Sequence, residues 1–273
     1  MEDLKKALEQ MIPPLRGETG VVPDDRRGGV CPHCLGRGVM IGPDDVAVRC
    51  SCMDVQMMNN RLKSARLSQG LMKCTLEAFD FSYYQPENKQ WDGGEEHLIN
   101  ARKAWQAAGD FVKGVVQDSH HIGLMYSGPA GSGKTYLAAA MANELVRHNI
   151  SVLFVVVPDL LDELRATYDR KDVSEYDLLD MAKTIPVLIL DDLGAHNYTE
   201  WTVNRIYSIL NYRVNESLPT IVTTNLHNDD IAKHLGERTS SRLVQLCRMF
   251  KLSAPQDIRM QQYSIREKAH KPG

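Results

Sequence analysis

The sequence predicts an α/β fold in which helices cover both faces of a parallel sheet. From about residue 95 onward, short apolar segments alternate with amphipathic helical patterns, the order expected of strand–helix–strand units. The strand segments are continuously apolar rather than alternating, as expected of strands that are buried on both faces. A glycine-rich turn joins the first of these strands to the helix that follows it, at residues 128–133.

The elements of this predicted sheet follow one another at regular spacing. An amphipathic helix is expected before the sheet, at residues 98–112. The predicted strands are residues 122–126, 152–157, 187–190 and 220–223, with a fifth at 248–252. The predicted helices between them are residues 134–148, a helix with Asp159 as its N-cap, and residues 200–214. The buried face of the last of these helices is expected to carry Val203, Ile206, Tyr207, Leu210 and Val214.

Composition excludes several classes of protein. The chain has 273 residues, 43% apolar and 25% charged, with a net charge of −3, which argues against disorder, collagen and coiled coil. Near-neutral charge also argues against duplex DNA binding through a bulk positive field. The apolar run 152–157 is far shorter than the roughly 20 residues of a membrane span, and Met1 is not followed by a signal-peptide pattern. We therefore expect a cytoplasmic protein without a membrane partner.

Four cysteines lie close together ahead of the predicted sheet. They form a Cys-x-x-Cys pair and a Cys-x-Cys pair, at Cys31, Cys34, Cys50 and Cys52. Two turns that bring four thiolates together predict a tetrahedral Zn²⁺ site with no open position, and hence a structural one. Such a site would supply folding energy that so small a segment cannot obtain from burial. Free thiols or a redox pair are the alternative.

The glycine-rich turn matches the phosphate-binding loop pattern G-x-x-x-x-G-K-[ST]. We expect the backbone N–H groups of the loop to bind phosphate oxygens, Lys134 to reach the β- and γ-phosphates, and Thr135 to bind Mg²⁺. The alternative is a chance glycine-rich turn, against which the apolar strand before it and the helix after it both argue. The predicted ATP-binding residues of this segment are Gly128, Pro129, Ala130, Gly131, Ser132, Gly133, Lys134, Thr135 and Tyr136.

Polar side chains follow two further predicted strands. Asp191 and Asp192 come directly after the strand at 187–190, where a carboxylate pair would hold Mg²⁺ through Asp191 and polarise the attacking water through Asp192. Asn225 follows the strand at 220–223 and would orient that water or sense the γ-phosphate. The alternatives are acids that only cap a turn before Gly194, and an ordinary loop asparagine.

Arg238 and Arg242 are four residues apart, so that they share one face of a predicted helix. Either could stabilise the γ-phosphate of a neighbouring subunit as an arginine finger does. The alternative is a solvated charged face, or an ion pair within the chain with Glu237.

Together, these segments resemble the AAA+ P-loop ATPases of the DnaC/DnaI helicase-loader type, whose core the IstB transposition ATPases share. The resemblance covers about residues 75–260. The segments that carry it, in chain order, are the loop at 128–135, the acidic strand end at 188–194, Trp201, Asn211-Tyr-Arg213, Thr223-Thr-Asn225, the segment 235–243 and Asp257-Ile-Arg259.

The resemblance implies ATP, Mg²⁺ and Zn²⁺ as ligands, and slow ATP hydrolysis that DNA or a partner stimulates. It implies that Arg242, or as second choice Arg238, acts in trans, and that Arg259 senses nucleotide in cis. Members of this family assemble on single-stranded DNA with ATP and place a hexameric replicative DNA helicase on it, so a homo-oligomer, single-stranded DNA and such a helicase are the expected partners. An IstB-like transposition ATPase and a nucleotide-switched adaptor with negligible hydrolysis are the alternatives; the cysteine module favours the loader, because the transposition ATPases usually lack it.

The resemblance and the composition shifts predict four segments. Residues 1–55 form a zinc-binding partner-recognition module, residues 56–75 a basic helical linker, residues 76–260 the AAA+ ATPase domain, and residues 261–273 a flexible tail. The linker carries four basic residues and no acid, a pattern typical of a solvated helix face, with DNA phosphate contact as the alternative; they are Arg61, Lys63, Arg66 and Lys73.

Overall fold

The computed structural model describes residues 31–41, 46–85, 94–117, 122–166, 175–195 and 198–270. The first 30 residues of the predicted N-terminal module lie outside the described residues. The chain divides into two compact units, Met1–Asn60 and Arg61–Gly273. Among the described helices, none combines the length and the apolar character needed to cross a membrane.

The described part of the first unit is a short hairpin followed by a helix. Strands β1 (Val39–Ile41) and β2 (Ala47–Arg49) pair antiparallel. Helix α1 (Ser51–Ser64) follows them. All three residues of β2 are exposed, so the hairpin itself buries little apolar surface. The buried side chains of this segment include Cys34 and Cys50.

The second unit contains the predicted parallel sheet. Its five strands lie in the order β4-β5-β6-β3-β7, and every neighbouring pair is parallel. The fifth strand that the sequence predicted is therefore present, as an edge strand beside β3. The strands are β3 (Gly123–Ser127), β4 (Val152–Val156), β5 (Val187–Leu193), β6 (Thr220–Thr224) and β7 (Cys247–Lys251).

Helices cover the sheet on both faces, as predicted. They are α2 (Gly94–Val116), α3 (Lys134–Arg147), α4 (Val157–Ala166), α5 (Glu175–Thr184), α6 (Glu200–Asn215), α7 (Asn228–Leu246) and α8 (Ile258–His270). One buried apolar cluster joins α4, α6 and α7 to side chains of the sheet, while α2 and α3 contact the sheet outside that cluster. The parallel order places the carboxyl ends of the strands along one edge of the sheet, where α3 begins.

The start of α4 differs from the sequence prediction. Asp159 is not the N-cap, because the helix begins at Val157, directly after β4. Val157 is fully buried as the first helical residue rather than as the last residue of the strand. Pro158, whose ring fixes a helical φ and which lacks an N–H, suits the first turn that results. Asp159 lies in that first turn, where a carboxylate is favourable to the helix dipole.

Two other helices also differ from expectation. Helix α8 extends to His270, so most of the predicted tail of residues 261–273 is helical. On α6, Ile206 and Leu210 are fully buried as predicted, and Val214 is partly buried against the same apolar cluster. Thr202, Ile209 and Arg213 complete the buried face, whereas Val203 and Tyr207 are only partly buried. An arginine in a core face is not expected from hydrophobic periodicity.

Candidate functional site

The phosphate-binding loop connects the end of β3 to the start of α3. Gly128 and Gly133 have φ angles of 150° and 93°, a region that residues with a Cβ rarely adopt. A Cβ at Gly128 would lie 1.9 Å from the carbonyl oxygen of Leu252, and one at Gly133 would lie 2.4 Å from the hydroxyl of Tyr84. The loop therefore requires glycine for its backbone shape and for its close neighbours.

Lys134, the first residue of α3, is buried and directed back onto the loop. Its Nζ donates hydrogen bonds to the carbonyl oxygens of Gly128 at 2.8 Å and Pro129 at 2.7 Å. Burial lowers the pKa of Lys134 to about 8, although two nearby carboxylates counteract this. The ammonium group is therefore still protonated at neutral pH, and it occupies the loop that the sequence assigns to phosphate.

Asp191 joins the loop to the sheet. Its Oδ1 accepts hydrogen bonds from Thr135 Oγ1 at 2.9 Å and from Thr223 Oγ1 at 2.6 Å. Burial raises the pKa of Asp191, and these two hydrogen bonds lower it. The structure thus brings together the two residues that the sequence analysis assigned to Mg²⁺, Thr135 and Asp191. A hydroxyl beside a carboxylate is a donor set that this hard cation prefers.

Asp192 lies beside Asp191 and meets the predicted water-positioning asparagine. Its Oδ1 accepts a hydrogen bond from Asn225 Nδ2 at 2.9 Å. Its backbone is left-handed, with φ 59°, and its amide donates to Thr223 Oγ1 at 2.9 Å. The acidic pair does not serve only to cap a turn, because Asp191 bonds to the loop helix and Asp192 to the end of β6.

A cavity of about 500 Å³ lies over these groups. The loop and the two carboxylates are part of its lining. The other parts of its lining come from the segment before α2 and from the first turns of α8. The lining residues are Leu71, Cys74, Ala130, Gly131, Ser132, Gly133, Lys134, Thr135, Tyr136, Val156, Asp191, Asp192, Thr223, Asn225, Ile258, Arg259 and Gln262.

Helix α8 is attached to the loop at its first turn. The amide of Ile258 donates to the carbonyl oxygen of Gly131 at 3.0 Å, and Asp257 Oδ1 accepts from the amide of Arg259 at 2.8 Å. The Asp257 carboxylate lies so close to Gly131 that a Cβ there would be 2.0 Å from Oδ1. These contacts hold Arg259 at the cavity, and a nucleotide-sensing role for this residue stays a prediction from the resemblance.

Arg238 and Arg242 lie elsewhere in the unit. Both follow the kink of α7 at Gly236, whose φ and ψ are 80° and 155°. Neither is among the described residues that line the cavity. The Nη1 of Arg242 donates to Gln245 Oε1 at 2.8 Å. The two arginines thus share a helix face, as predicted, and that face is not part of the cavity of their own chain.

The cysteine cluster is assembled in the first unit. The Sγ atoms of Cys31, Cys34, Cys50 and Cys52 all lie within 4.8 Å of one another. Cys31 and Cys50 are 3.9 Å apart and Cys34 and Cys52 are 3.4 Å apart, close to the edge of about 3.8 Å that a Zn–S₄ tetrahedron with 2.3 Å bonds requires. The donor set and its spacing therefore fit zinc.

Backbone amides support this cluster from the turn that follows its first pair. The amide of Gly38 donates to Cys34 Sγ at 3.3 Å. Burial raises the pKa of Cys34, but backbone and thiol hydrogen bonds outweigh it and leave that pKa lowered to about 6. Thiolate character at this position is what a metal-binding cysteine needs.

The basic linker residues are partly engaged with protein groups. The guanidinium of Arg61 bonds to Asn149 Oδ1, and that of Arg66 lies 2.6 Å from the Glu163 carboxylate. These contacts favour a structural role for both arginines at the surface of the second unit over a free array of phosphate-binding charges.

Several hydrogen bonds that shape the cavity could not be predicted from the sequence. Thr223 was noted only as part of a polar strand end, although its hydroxyl bonds to the carboxylate of Asp191 and to the backbone amide of Asp192. Tyr84 donates to the carbonyl oxygen of Ser132 at 2.8 Å, and Asn143 Nδ2 donates to the carbonyl oxygens of Leu71 and Cys74 at 2.8 and 2.7 Å. No sequence pattern indicates these hydrogen bonds, because their partners are distant in sequence.

Comparison with known proteins places this site in a family. The family model of the IstB-like ATP binding protein matches residues 102–270, which include the loop, the carboxylates and α8. The chain belongs to this family. Its parallel sheet flanked by helices is the AAA+ fold.

Several relatives of this IstB-like protein are replicative helicase loaders by name. The replicative helicase loader DnaI of Bacillus subtilis (strain 168) is 34% identical over 158 residues, covering 55% of this chain and 50% of that protein. The replicative helicase loader DnaC of Escherichia coli (strain K12) is 31% identical over 126 residues, covering 46% and 51% respectively. A crystal structure of DnaI superimposes with a TM-score of 0.54 at 30% identity, covering 68% of this chain and 95% of that one. The matches thus span about half the length of the curated relatives.

Proposed function

We propose that this IstB-like protein is an ATP-dependent loader of a hexameric replicative DNA helicase onto single-stranded DNA during replication initiation. Binding and hydrolysis of Mg-ATP would control its assembly and release. The observation that carries the proposal is the cavity whose lining includes the phosphate-binding loop and two carboxylates, in a chain that is 34% identical over 158 residues to a protein named replicative helicase loader.

The loop side of the cavity would bind the triphosphate. Lys134 would exchange its bonds to the loop carbonyls for bonds to phosphate oxygens, since both are acceptors and the phosphate carries charge. Thr135 and Asp191 would hold Mg²⁺, which supplies positive charge beside the phosphates when it is bound. Arg259 would add a second cationic contact from α8.

The sheet side of the cavity would act on the attacking water. Asp192 would accept a hydrogen bond from that water and polarise it, while Asn225, already bonded to Asp192, would orient it. Because Arg242 does not line its own cavity, we assign it to the nucleotide of a neighbouring copy, with Arg238 as second choice.

The segments before the ATPase domain would bind the helicase and connect it to that domain. Residues 1–55 would recognise the helicase, with the four cysteines holding a structural Zn²⁺, and residues 56–75 would link them to the ATPase domain of residues 76–260. Zinc would cross-link a hairpin whose strands are too short to be stable by themselves.

Lys134→Ala tests the nucleotide part of the proposal. Removing a buried ammonium that pairs with phosphate should weaken ATP binding by about 100-fold, as measured by titration with a fluorescent ATP analogue. Lys103→Ala, which removes an exposed lysine on α2, should leave the affinity unchanged. Equal affinity in Lys134→Ala and the wild type would contradict the proposal.

Co-purification with a candidate hexameric replicative helicase tests the loader part. We expect the wild-type chain to bind the helicase stably and the complex to respond to ATP, and we expect Lys134→Ala to lose that response. The resemblance to the IstB transposition ATPases indicates one further candidate, a regulator that works with a transposase. Stable binding to a transposase but not to the helicase would replace the loader by that candidate.

ATP hydrolysis separates a loader from a nucleotide-switched adaptor. We expect slow turnover that single-stranded DNA or the helicase accelerates. Absence of ATP turnover by the chain alone, with single-stranded DNA and with the helicase would favour the adaptor.

A further inference from the structure

The end of β5 departs from a regular strand at the two carboxylates. Leu190 pairs with Val222 on β6, and Leu193 pairs with Thr224. Three residue steps on β5 therefore face two on β6, so β5 contains one extra residue, a β-bulge. The left-handed backbone of Asp192, with φ 59°, lies within this bulge.

The bulge explains how neighbouring carboxylates reach one cavity. In a regular strand, successive side chains point to opposite faces of the sheet. Asp191 and Asp192 nevertheless both line the same cavity. The extra residue and the left-handed turn at Asp192 re-aim its side chain.

The hydroxyl of Thr223 connects Asp191 to Asp192. Thr223 lies on β6 between the two residues that flank the bulge in the pairing. Its Oγ1 donates to Asp191 Oδ1 at 2.6 Å and accepts from the amide of Asp192 at 2.9 Å. The side chain of Thr223 is buried, with an exposed fraction of 1%, so water does not replace these bonds easily.

We propose that Thr223 is a positioning residue that holds the bulge of β5 and so presents Asp191 and Asp192 together to the magnesium–nucleotide complex. The inference rests on the proposed function, because it concerns the same cavity. It assigns to Thr223 no contact with nucleotide: the hydroxyl acts through the carboxylate on one side and the peptide amide on the other.

Substitutions at Thr223 separate the effect of its hydroxyl from the effect of its side-chain shape. Thr223→Val keeps the volume and removes the hydroxyl, while Thr223→Ser keeps the hydroxyl and removes a methyl group. Thr220→Val is the matched control, because Thr220 lies on the same strand, is fully buried, bonds through its hydroxyl and does not line the cavity. Loss of general stability should affect Thr223→Val and Thr220→Val alike.

The measurement is the gain in affinity that Mg²⁺ confers on a non-hydrolysable fluorescent ATP analogue. Each full-length variant is titrated in excess Mg²⁺ and again in EDTA, and its thermal unfolding is recorded without nucleotide. We expect the gain in affinity that Mg²⁺ confers to be about ten-fold smaller in Thr223→Val than in the wild type. This is the effect of losing one hydrogen bond to a charged group. Thr223→Ser and Thr220→Val should keep the gain of the wild type.

A gain in Thr223→Val equal to that of the wild type would overturn the inference and leave the proposed function intact. Equal losses in Thr223→Val and Thr220→Val would also overturn it, since they would show a general effect of the strand. If the wild type itself does not bind the analogue, the proposed function fails instead. Should Thr223→Val not fold, the comparison of Thr223→Ala with Thr223→Ser decides the same question by the same titration.

Discussion

At the residue scale, the buried core of the second unit contains an arginine side chain. Arg213 is fully buried on α6, and its guanidinium bonds to Thr220 Oγ1 and to backbone carbonyl oxygens at the end of α5 and before β6. These bonds take the place of a carboxylate partner. Burial lowers the pKa of Arg213 to about 9, so the guanidinium stays charged at neutral pH. The residue thus ties three elements together by satisfying carbonyls that would otherwise be buried unpaired.

Arg213→Met should destabilise the second unit strongly. The substitution keeps much of the volume but leaves several buried carbonyl oxygens without donors, and we expect a loss of about 3–5 kcal/mol in the free energy of unfolding. Denaturant titration of the full-length chain measures it. Arg102→Met, on the exposed side of α2, is the control and should change the free energy by less than about 0.5 kcal/mol. A change equally small in Arg213→Met would show that the guanidinium network contributes nothing net.

At the element scale, the β1–β2 hairpin is too short to be stable by its own strand pairing. Each strand has three residues, and the exposed side chains of the hairpin include Val39, Val46 and Val48. Isolated hairpins of this size are at best marginally stable in water. The four cysteine sulfurs, by contrast, lie at distances that one metal ion could bridge. The order of this element should therefore depend on metal.

We expect about one zinc ion per chain, measured by elemental analysis of the purified protein. Removing it with a chelator should raise the hydrogen-exchange rates of residues 31–52 sharply, because the metal and not apolar burial supplies the folding energy there. Cys34→Ser should bind zinc much more weakly, while Cys74→Ala, which changes a buried cysteine outside the cluster, should retain it. Slow exchange in a metal-free protein would refute the structural role.

At the scale of the whole molecule, the position of Arg242 points beyond the single chain. The loop, the carboxylates, Asn225 and Arg259 meet at one cavity, whereas Arg242 lies on another surface of the same unit. If Arg242 takes part in hydrolysis, it must do so at the cavity of another copy. The proposed homo-oligomer therefore rests on the position of the Arg242 side chain and on the proposed ATP hydrolysis.

Mixing two inactive variants tests this arrangement. Lys134→Ala has a defective cavity but an intact Arg242, and Arg242→Ala has the reverse. In mixed assemblies some intact cavities should meet an intact Arg242, so the mixture should hydrolyse ATP faster than either variant alone. A mixture of Lys134→Ala with the double variant Lys134→Ala/Arg242→Ala lacks an intact cavity and should stay inactive. If only the corresponding mixture with Arg238→Ala recovers, Arg238 is the residue that acts in trans.

Local chemistry made much of the site predictable. The phosphate-binding loop, the acidic strand end and the cysteine pairs each place their chemical groups within a few residues, and glycine, carboxylate and thiol have few other reasons to occur in those patterns. The parallel sheet was equally accessible, because continuous apolar strands that alternate with amphipathic helices have few other ways to bury their surface.

What the sequence by itself determined is therefore the set of candidate reactive groups and the succession of strands and helices along the chain that carries them. Only the tertiary structure decided how those groups are aimed: the bulge that turns Asp192 toward the cavity, the Thr223 hydroxyl that holds it, the contact of Asp257 with Gly131, and the burial of Arg213. Each of these depends on a register or a contact between segments far apart in the chain, and hydrophobic periodicity along one segment contains no information about which residue of another segment lies opposite.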